Sequence, residues 1–192
     1  SINVSLDTLN PQKFFEITRR HQFEKVWNNI QVLVDEGFHV KINAVIMRGI
    51  NDAEILDFIE WTKRQAVHVR FIEFMPFDGN QWDRHKVFSY QEILNVIESH
   101  FSFIKLKDGT HDTAKKFKPY GHQGTFAVIS TMTEPFCGTC NRLRLTADGK
   151  IKNCLFSKGE VDVLGALRSG EDIGALMQQC VKDKAEALGG QF

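Results

Sequence analysis

Residues 40–76 read VKINAVIMRGINDAEILDFIEWTKRQAVHVRFIEFMP, and this stretch decides the fold. "VKINAVIM" (40–47) is β-branched and largely apolar, the composition of a strand. "NDAEILDFIEWTKRQ" (51–65) reads as a long helix. Its entry, Asn51 followed three residues later by Glu54, resembles a capping box. "VHVRFIEFMP" (67–76) is another strand, stopped by Pro76. Upstream, "INVSLD" (2–7) reads as a buried strand. "FEKVWNNIQVLVDEG" (23–37) reads as a helix, with Phe23, Val26, Trp27, Ile30, Leu33 and Val34 at helical spacing and Gly37 as its stop. Strand, helix, strand, helix, strand at these intervals predicts consecutive βα units and a parallel sheet with right-handed crossovers. Three strands are too few for a closed barrel and suit an open sheet equally. No Gly-rich phosphate loop follows any of them, which weakens a dinucleotide-binding reading.

The rhythm breaks after Pro76. Residues 77–88 are polar and irregular, and "SYQEILNVIESHF" (89–101) is an amphipathic helix capped by Ser89. Residues 107–123 are polar and basic and predict a mobile loop. "GTFAVIST" (124–131) and "RLRLTADGKIKNCLF" (142–156) read as strands, the second folded into a hairpin at Asp148-Gly149. Helical patterns resume at 161–168 and 171–188. The expected division is 1–76 and 77–192.

Composition narrows the function. The 192 residues carry 24 basic and 24 acidic side chains, so no general charge favours nucleic acid or a membrane surface, and any anion site must be local. No apolar run approaches the ~20 residues of a bilayer crossing. The chain starts without Met on a strand-like run, which suggests a fragment. At 42% hydrophobic residues it can build a core. Four cysteines are too few for a disulfide scaffold. Three of them cluster, which favours metal or redox chemistry in a reducing compartment, and a cytoplasmic setting is expected.

Those three are Cys137, Cys140 and Cys154, in "FCGTCNRLRLTADGKIKNC". Two residues separate the first pair, and the hairpin returns the third. A structural zinc site ordinarily takes four protein ligands, and no obvious fourth lies near. Three thiolates with an open position suit an iron–sulfur cluster with one iron free for substrate. Zinc completed by a distant His and a redox-active Cys137–Cys140 pair are the alternatives. Arg142 and Arg144 alternate on the predicted strand and so share a face. Two guanidiniums beside a metal suit a phosphate-bearing ligand, although a solvent-facing basic strand would look the same. Ser5, Lys41, Asn43, Arg70 and Glu73 interrupt otherwise apolar strands, and in parallel α/β folds ligands gather at strand carboxyl ends. Lys41, near the start of its strand, fits that rule poorly. Cys180 reads as a core residue, and the remaining histidines form no ligand pattern.

"INVSLDTL", "VKINAVIMRGINDAEI", "VRFIEFMP" and the cysteine segment, in that order, resemble the radical S-adenosylmethionine GTP 3′,8-cyclases of molybdenum cofactor biosynthesis. The resemblance implies an incomplete (βα) TIM-type barrel. It also implies a first 4Fe-4S cluster on a C-x3-C-x2-C run, where S-adenosylmethionine is cleaved to a 5′-deoxyadenosyl radical. That radical takes the ribose 3′ hydrogen of GTP, and the carbon radical closes onto C8 of guanine. A second 4Fe-4S cluster, near the C-terminus, binds GTP through its open iron. By this resemblance Cys137, Cys140 and Cys154 hold the second cluster. Lys41, Arg70, Arg142, Leu143 and Arg144 contact GTP, and Ser5 and Met75 contact S-adenosylmethionine. A homo-oligomer is implied, as is a pathway partner that makes cyclic pyranopterin monophosphate; nucleic acid and membrane are not. No C-x3-C-x2-C run occurs in these residues, so the chain resembles the C-terminal portion of the enzyme, truncated at both ends, and is expected to be inactive alone. Gly189-Gly190 resembles the family's terminal pair, but the segment before it does not, so no role is carried over.

Overall fold

The computed structural model describes residues 1–77 and 80–191, which divide into two compact units. The described residues of 1–75 and 80–134 make the first, and residues 76–77 and 135–191 the second.

The first unit is built on one sheet. Its strands are β1 (Ile2–Ser5), β2 (Val40–Ile46), β3 (His68–Glu73), β4 (Phe103–Lys105), β5 (Lys115–Pro119) and β6 (Thr125–Ile129), in the order β1-β2-β3-β6-β5-β4. The first three are parallel neighbours, as the βα rhythm requires, with Lys41 opposite Asn3 and His68, and Asn43 opposite Ser5 and Arg70. A fourth parallel strand, β6, adds to β3, and antiparallel β5 and β4 finish the sheet. The architecture is therefore α/β with a mixed sheet. The stretch 107–123 is not all loop, because β5 lies inside it. Its "KKFKP" buries only Phe117 and the terminal Pro119 among three lysines, so its strand character comes from pairing with β6 rather than from its own pattern.

Helices α1 (Pro11–Thr18), α2 (Phe23–Asp35), α3 (Ile55–Arg64) and α4 (Tyr90–Glu98) complete this unit. Strand β2 alternates strictly: Val40, Ile42, Ala44 and Ile46 are buried, while Lys41, Asn43 and Val45 between them are half-buried. The buried face, with Val69, Phe71, Phe126 and Val128, packs under α2, α3 and α4 into one core with Ile30, Phe58, Ile59, Ile93 and Ile97. Each such side chain contributes about 1.5–3 kcal/mol on burial. Parallel sheets covered on both faces read as continuous apolar runs; this alternation leaves a second face that is polar at Asn3, Ser5, Lys41, Asn43, His68 and Arg70 and apolar at Val45, Ile72 and Ile129.

Two polar side chains tie the unit together. Asn51 is fully buried but does not cap α3. Its Oδ1 accepts from the Met47 N–H (2.8 Å), and its Nδ2 donates to the carbonyls of Asp7 (2.7 Å) and Val45 (2.8 Å). Glu54 faces away from it, accepting from the Thr8 hydroxyl and the Leu9 N–H and pairing with Lys13. The capping box expected at Asn51 is thus replaced by tertiary bonds; the cap predicted at Ser89 is present, and Glu92 closes it into a capping box. Glu73 is fully buried at the end of β3. It accepts from the N–H groups of Tyr90 (2.8 Å), Met132 (2.7 Å) and Thr133 (2.9 Å) and from the Thr133 hydroxyl. The Tyr90 N–H opens α4 and has no partner within its own helix, so one carboxylate satisfies a helix start and a turn together.

The second unit holds a small sheet of β7 (Arg144–Leu145), β8 (Lys150–Lys152) and β9 (Val161–Asp162), with α5 (Val163–Ser169) and α6 (Ile173–Lys182). The expected hairpin is there, Arg144 opposite Lys152, and Gly149 adopts φ +78° in its turn. Strand β7 is shorter than expected, however, and Arg142 lies before it, so the two arginines do not share a strand face. No helix of the described residues is long and apolar enough to cross a membrane.

Candidate functional site

In the second unit, residues Cys137–Thr139 form a single 3₁₀ turn, closed by the Cys140 N–H on the Cys137 carbonyl (3.1 Å). That turn sets two thiols one turn apart. Cys154 follows β8 by two residues, its carbonyl accepting from the Ser157 hydroxyl (3.0 Å). All three thiols are free and half-buried. Cys180 is free and buried on α6, as predicted, and its carbonyl accepts from the Asn153 amide (3.0 Å).

The segment after α6 returns to the cysteine turn. The Lys184 ammonium donates to the Cys140 sulfur (3.3 Å), the Cys140 carbonyl (2.8 Å) and the Arg142 carbonyl (3.2 Å). The Leu188 N–H donates to the Cys137 sulfur (3.3 Å). Leu188 adopts φ +47°, a conformation uncommon for a side-chain-bearing residue. Gly189 follows at φ +64° and lies so close to the 156–157 backbone that a Cβ would stand 2.7 Å from the Ser157 nitrogen. Burial pushes the Cys140 thiol up, but the Arg142 N–H, the Lys184 ammonium and the Arg142 charge outweigh it and hold the thiol below its ordinary range. Arg142 lies over the Phe136 ring (5.5 Å), and Arg142, Leu143 and Arg144 are all exposed.

Among the described residues no three His, Cys, Asp or Glu side chains are gathered as a metal-ligand set. The three sulfurs nonetheless fit a thiolate-bound group in kind. They are free, and two accept hydrogen bonds from N–H donors, the contacts that stabilise cluster-bound sulfur. His122, the histidine nearest the cysteines in sequence, is engaged with the Thr62 hydroxyl through Nδ1 (2.9 Å).

In the first unit, strand register puts Asn3, Ser5, Lys41, Asn43, His68, Arg70 and Thr125 on the face away from the helices. Arg70 is held by neutral partners: its Nε donates to Asn43 Oδ1 (2.6 Å) and its Nη2 to Asn3 Oδ1 (2.8 Å). Neither partner neutralises its charge, and a guanidinium stays protonated here. Burial lowers the His68 pKa to about 4, helped by the charges of Arg70, His39, Lys41 and Lys116. His68 is therefore neutral at pH 7, and its Nδ1 shares a hydrogen bond with the Thr125 hydroxyl (2.6 Å). Met75, after β3, is buried, whereas Ser5 on β1 is exposed. Sequence reasoning passed over His68, Lys184 and Leu188. Only the sheet register could have revealed the first, and nothing local in sequence points to the other two.

Comparison with known proteins gives these features a context. The family described as Molybdenum Cofactor Synthesis C matches residues 67–189, and the Radical SAM superfamily matches residues 1–62. The chain is 47% identical over 197 residues to "GTP 3',8-cyclase, mitochondrial" of Arabidopsis thaliana, covering 100% of this chain and 50% of the relative. It is 45% identical to "Molybdenum cofactor biosynthesis protein 1" of Mus musculus, covering 100% of this chain and 31% of the relative. It is 38% identical to "GTP 3',8-cyclase" of Rhodopirellula baltica, covering 98% of this chain and 55% of the relative. The chain thus spans about half the length, or less, of these relatives. With cysteine turn, hairpin and the strand "VRFIEFMP" all inside the longer match, the chain belongs to the Molybdenum Cofactor Synthesis C family.

Proposed function

We propose that this chain serves radical S-adenosylmethionine-dependent conversion of GTP to 3′,8-cyclo-7,8-dihydro-GTP, and that its second unit carries the nucleotide-binding cysteine centre. The observation that carries the reading is the cysteine turn: two thiols one turn apart, each already receiving an N–H donor, with Arg142 and Arg144 following at once. Cys137, Cys140 and Cys154 are the proposed ligands of a 4Fe-4S cluster. When bound, such a cluster supplies an open iron as a Lewis-acidic docking point for the guanine ring.

The chain's own residues then do the rest. Arg142 and Arg144 are proposed to take phosphate oxygens, since a guanidinium grips them bidentately, and Leu143 to pack against the nucleotide. In the first unit Lys41 and Arg70 are proposed GTP contacts. Arg70 suits the role because its amide partners fix its plane and leave its charge intact. Ser5 and Met75 are proposed to contact S-adenosylmethionine. In this reading residues 1–76 are the later part of a radical SAM TIM-type barrel, with the polar sheet face turned inward, and residues 77–192 are the cluster-bearing region. The alternating burial of β2 supports that face as a lumen. A homo-oligomer and a downstream enzyme making cyclic pyranopterin monophosphate are the proposed partners. The free thiols suit a reducing setting, cytoplasmic or mitochondrial.

Anaerobic reconstitution tests the reading. Broad visible absorption with stoichiometric iron and sulfide, abolished by Cys137→Ser, supports it. Stoichiometric zinc without iron would favour a non-catalytic zinc module, and a titratable dithiol without metal a thiol oxidoreductase. The 192 residues contain no C-x3-C-x2-C run, so 5′-deoxyadenosine formation by this chain alone would contradict the proposed division of labour.

A further inference from the structure

We propose that Lys184 is a positioning residue for the cysteine centre: its ammonium clamps the Cys140–Arg142 turn and sets a fixed positive charge against a ligand sulfur. This rests on the cluster reading of Cys137, Cys140 and Cys154 given above.

An ammonium has three N–H donors, and all three are matched here by the Cys140 sulfur, the Cys140 carbonyl and the Arg142 carbonyl. The two carbonyls flank the chain between ligand and arginine, so one cation fixes both the thiol and the backbone that presents Arg142. The place of Lys184 is set by packing. It follows α6 by two residues, and α6 is anchored through buried Cys180, whose carbonyl accepts from Asn153, one residue before Cys154. The same return of the chain brings the Leu188 N–H to Cys137. Those two donors differ in kind. The Leu188 amide is neutral, whereas Lys184 adds a full charge beside a group that three thiolates make anionic.

Charge near a cluster shifts its reduction potential, and hydrogen bonds to its sulfurs do the same. A positive charge favours the reduced, more negative state. Removing it should disfavour reduction, and removing the clamp should loosen the ligand turn. Two separable effects are expected. Lys184→Met, which loses clamp and charge, should lose iron to a chelator several-fold faster than the parent. Lys184→Gln, which keeps a donor without charge, should lower the reduced-to-oxidised ratio at fixed potential about tenfold, or about 59 mV for one electron. Lys184→Arg, which keeps charge and donors, should hold the potential near the parent's, and a simple packing role would not produce that rescue.

The experiment is anaerobic reconstitution of the 192-residue chain and the three variants with iron and sulfide. It is followed by iron release to a chelator and by redox titration monitored by electron paramagnetic resonance. Parent-like potentials and release rates in both Lys184→Met and Lys184→Gln overturn the proposal alone. A parent chain whose iron and sulfide uptake is unchanged by Cys137→Ser overturns the cluster reading and this inference with it. If Lys184→Met proves unstable, the Gln and Arg pair decides: equal potentials in those two also overturn it.

Discussion

Glu73→Gln should destabilise the first unit by about 2–4 kcal/mol, although it changes one atom and no volume. The wild-type carboxylate is acceptor-only and fully buried, and it meets three N–H groups and a hydroxyl, all donors. Glutamine brings two donors of its own. Turned toward Met132 and Thr133, its NH₂ leaves both backbone N–H groups unpaired. Turned the other way, the Thr133 hydroxyl can rotate to accept and the Tyr90 N–H loses its carboxylate oxygen. The second arrangement is cheaper, yet it still removes charge assistance worth about 1.5–3 kcal/mol per bond and leaves the Tyr90 N–H only its long contact with the Thr133 hydroxyl (3.4 Å). The assay is urea unfolding by tryptophan fluorescence. All three tryptophans, Trp27, Trp61 and Trp82, lie in the first unit, so the signal reports that unit. With a slope of about 2 kcal/mol/M the midpoint should fall by about 1–2 M, the slope itself unchanged. A loss below about 1 kcal/mol would refute the view that Glu73 holds the α4 start and the 131–133 turn as a charged acceptor.

Two further outcomes concern the same unit. His68 titrates at about 4 when folded and near 6.5 when unfolded, so the unfolded chain binds its proton first as pH falls. Its contribution is present above pH 6.5 and drains away towards pH 4, up to about 3 kcal/mol. His68→Gln should flatten that part of the stability profile relative to the parent, and identical profiles would refute the assignment. Asn51→Asp should cost about 3 kcal/mol or more in urea unfolding, because it aims a carboxylate at the Asp7 and Val45 carbonyls in a fully buried site.

The parallel core was legible because β2 and β3 are β-branched runs split by one helix, a local pattern that sets topology. Segments whose structure depends on a distant partner were not. Strand β5 exists through its register with β6, and its lysines conceal it. Helix α1 went unread although Asn10 and Pro11 signal it, Asn10 accepting from the Lys13 N–H. Asn51 has the spacing of a cap but was recruited by carbonyls on other segments. In the candidate site, the cysteines and arginines could be read because their chemistry is condensed into one stretch. Lys184 and Leu188 stand 44 and 51 residues from the sulfurs they touch, a juxtaposition that packing of α6 creates and no motif encodes. The strand face expected for Arg142 failed because β7 begins only at Arg144.

The most direct test of the proposed nucleotide centre is a GTP titration at fixed salt on four samples: cluster-loaded chain, cluster-free chain, and loaded Arg142→Ala and Arg144→Ala. Measurable binding to the loaded parent is expected, with much weaker binding without the cluster and a loss of about tenfold or more for each arginine. Cluster-free protein that binds GTP as tightly as loaded protein, or loaded arginine variants that match the parent, would contradict it.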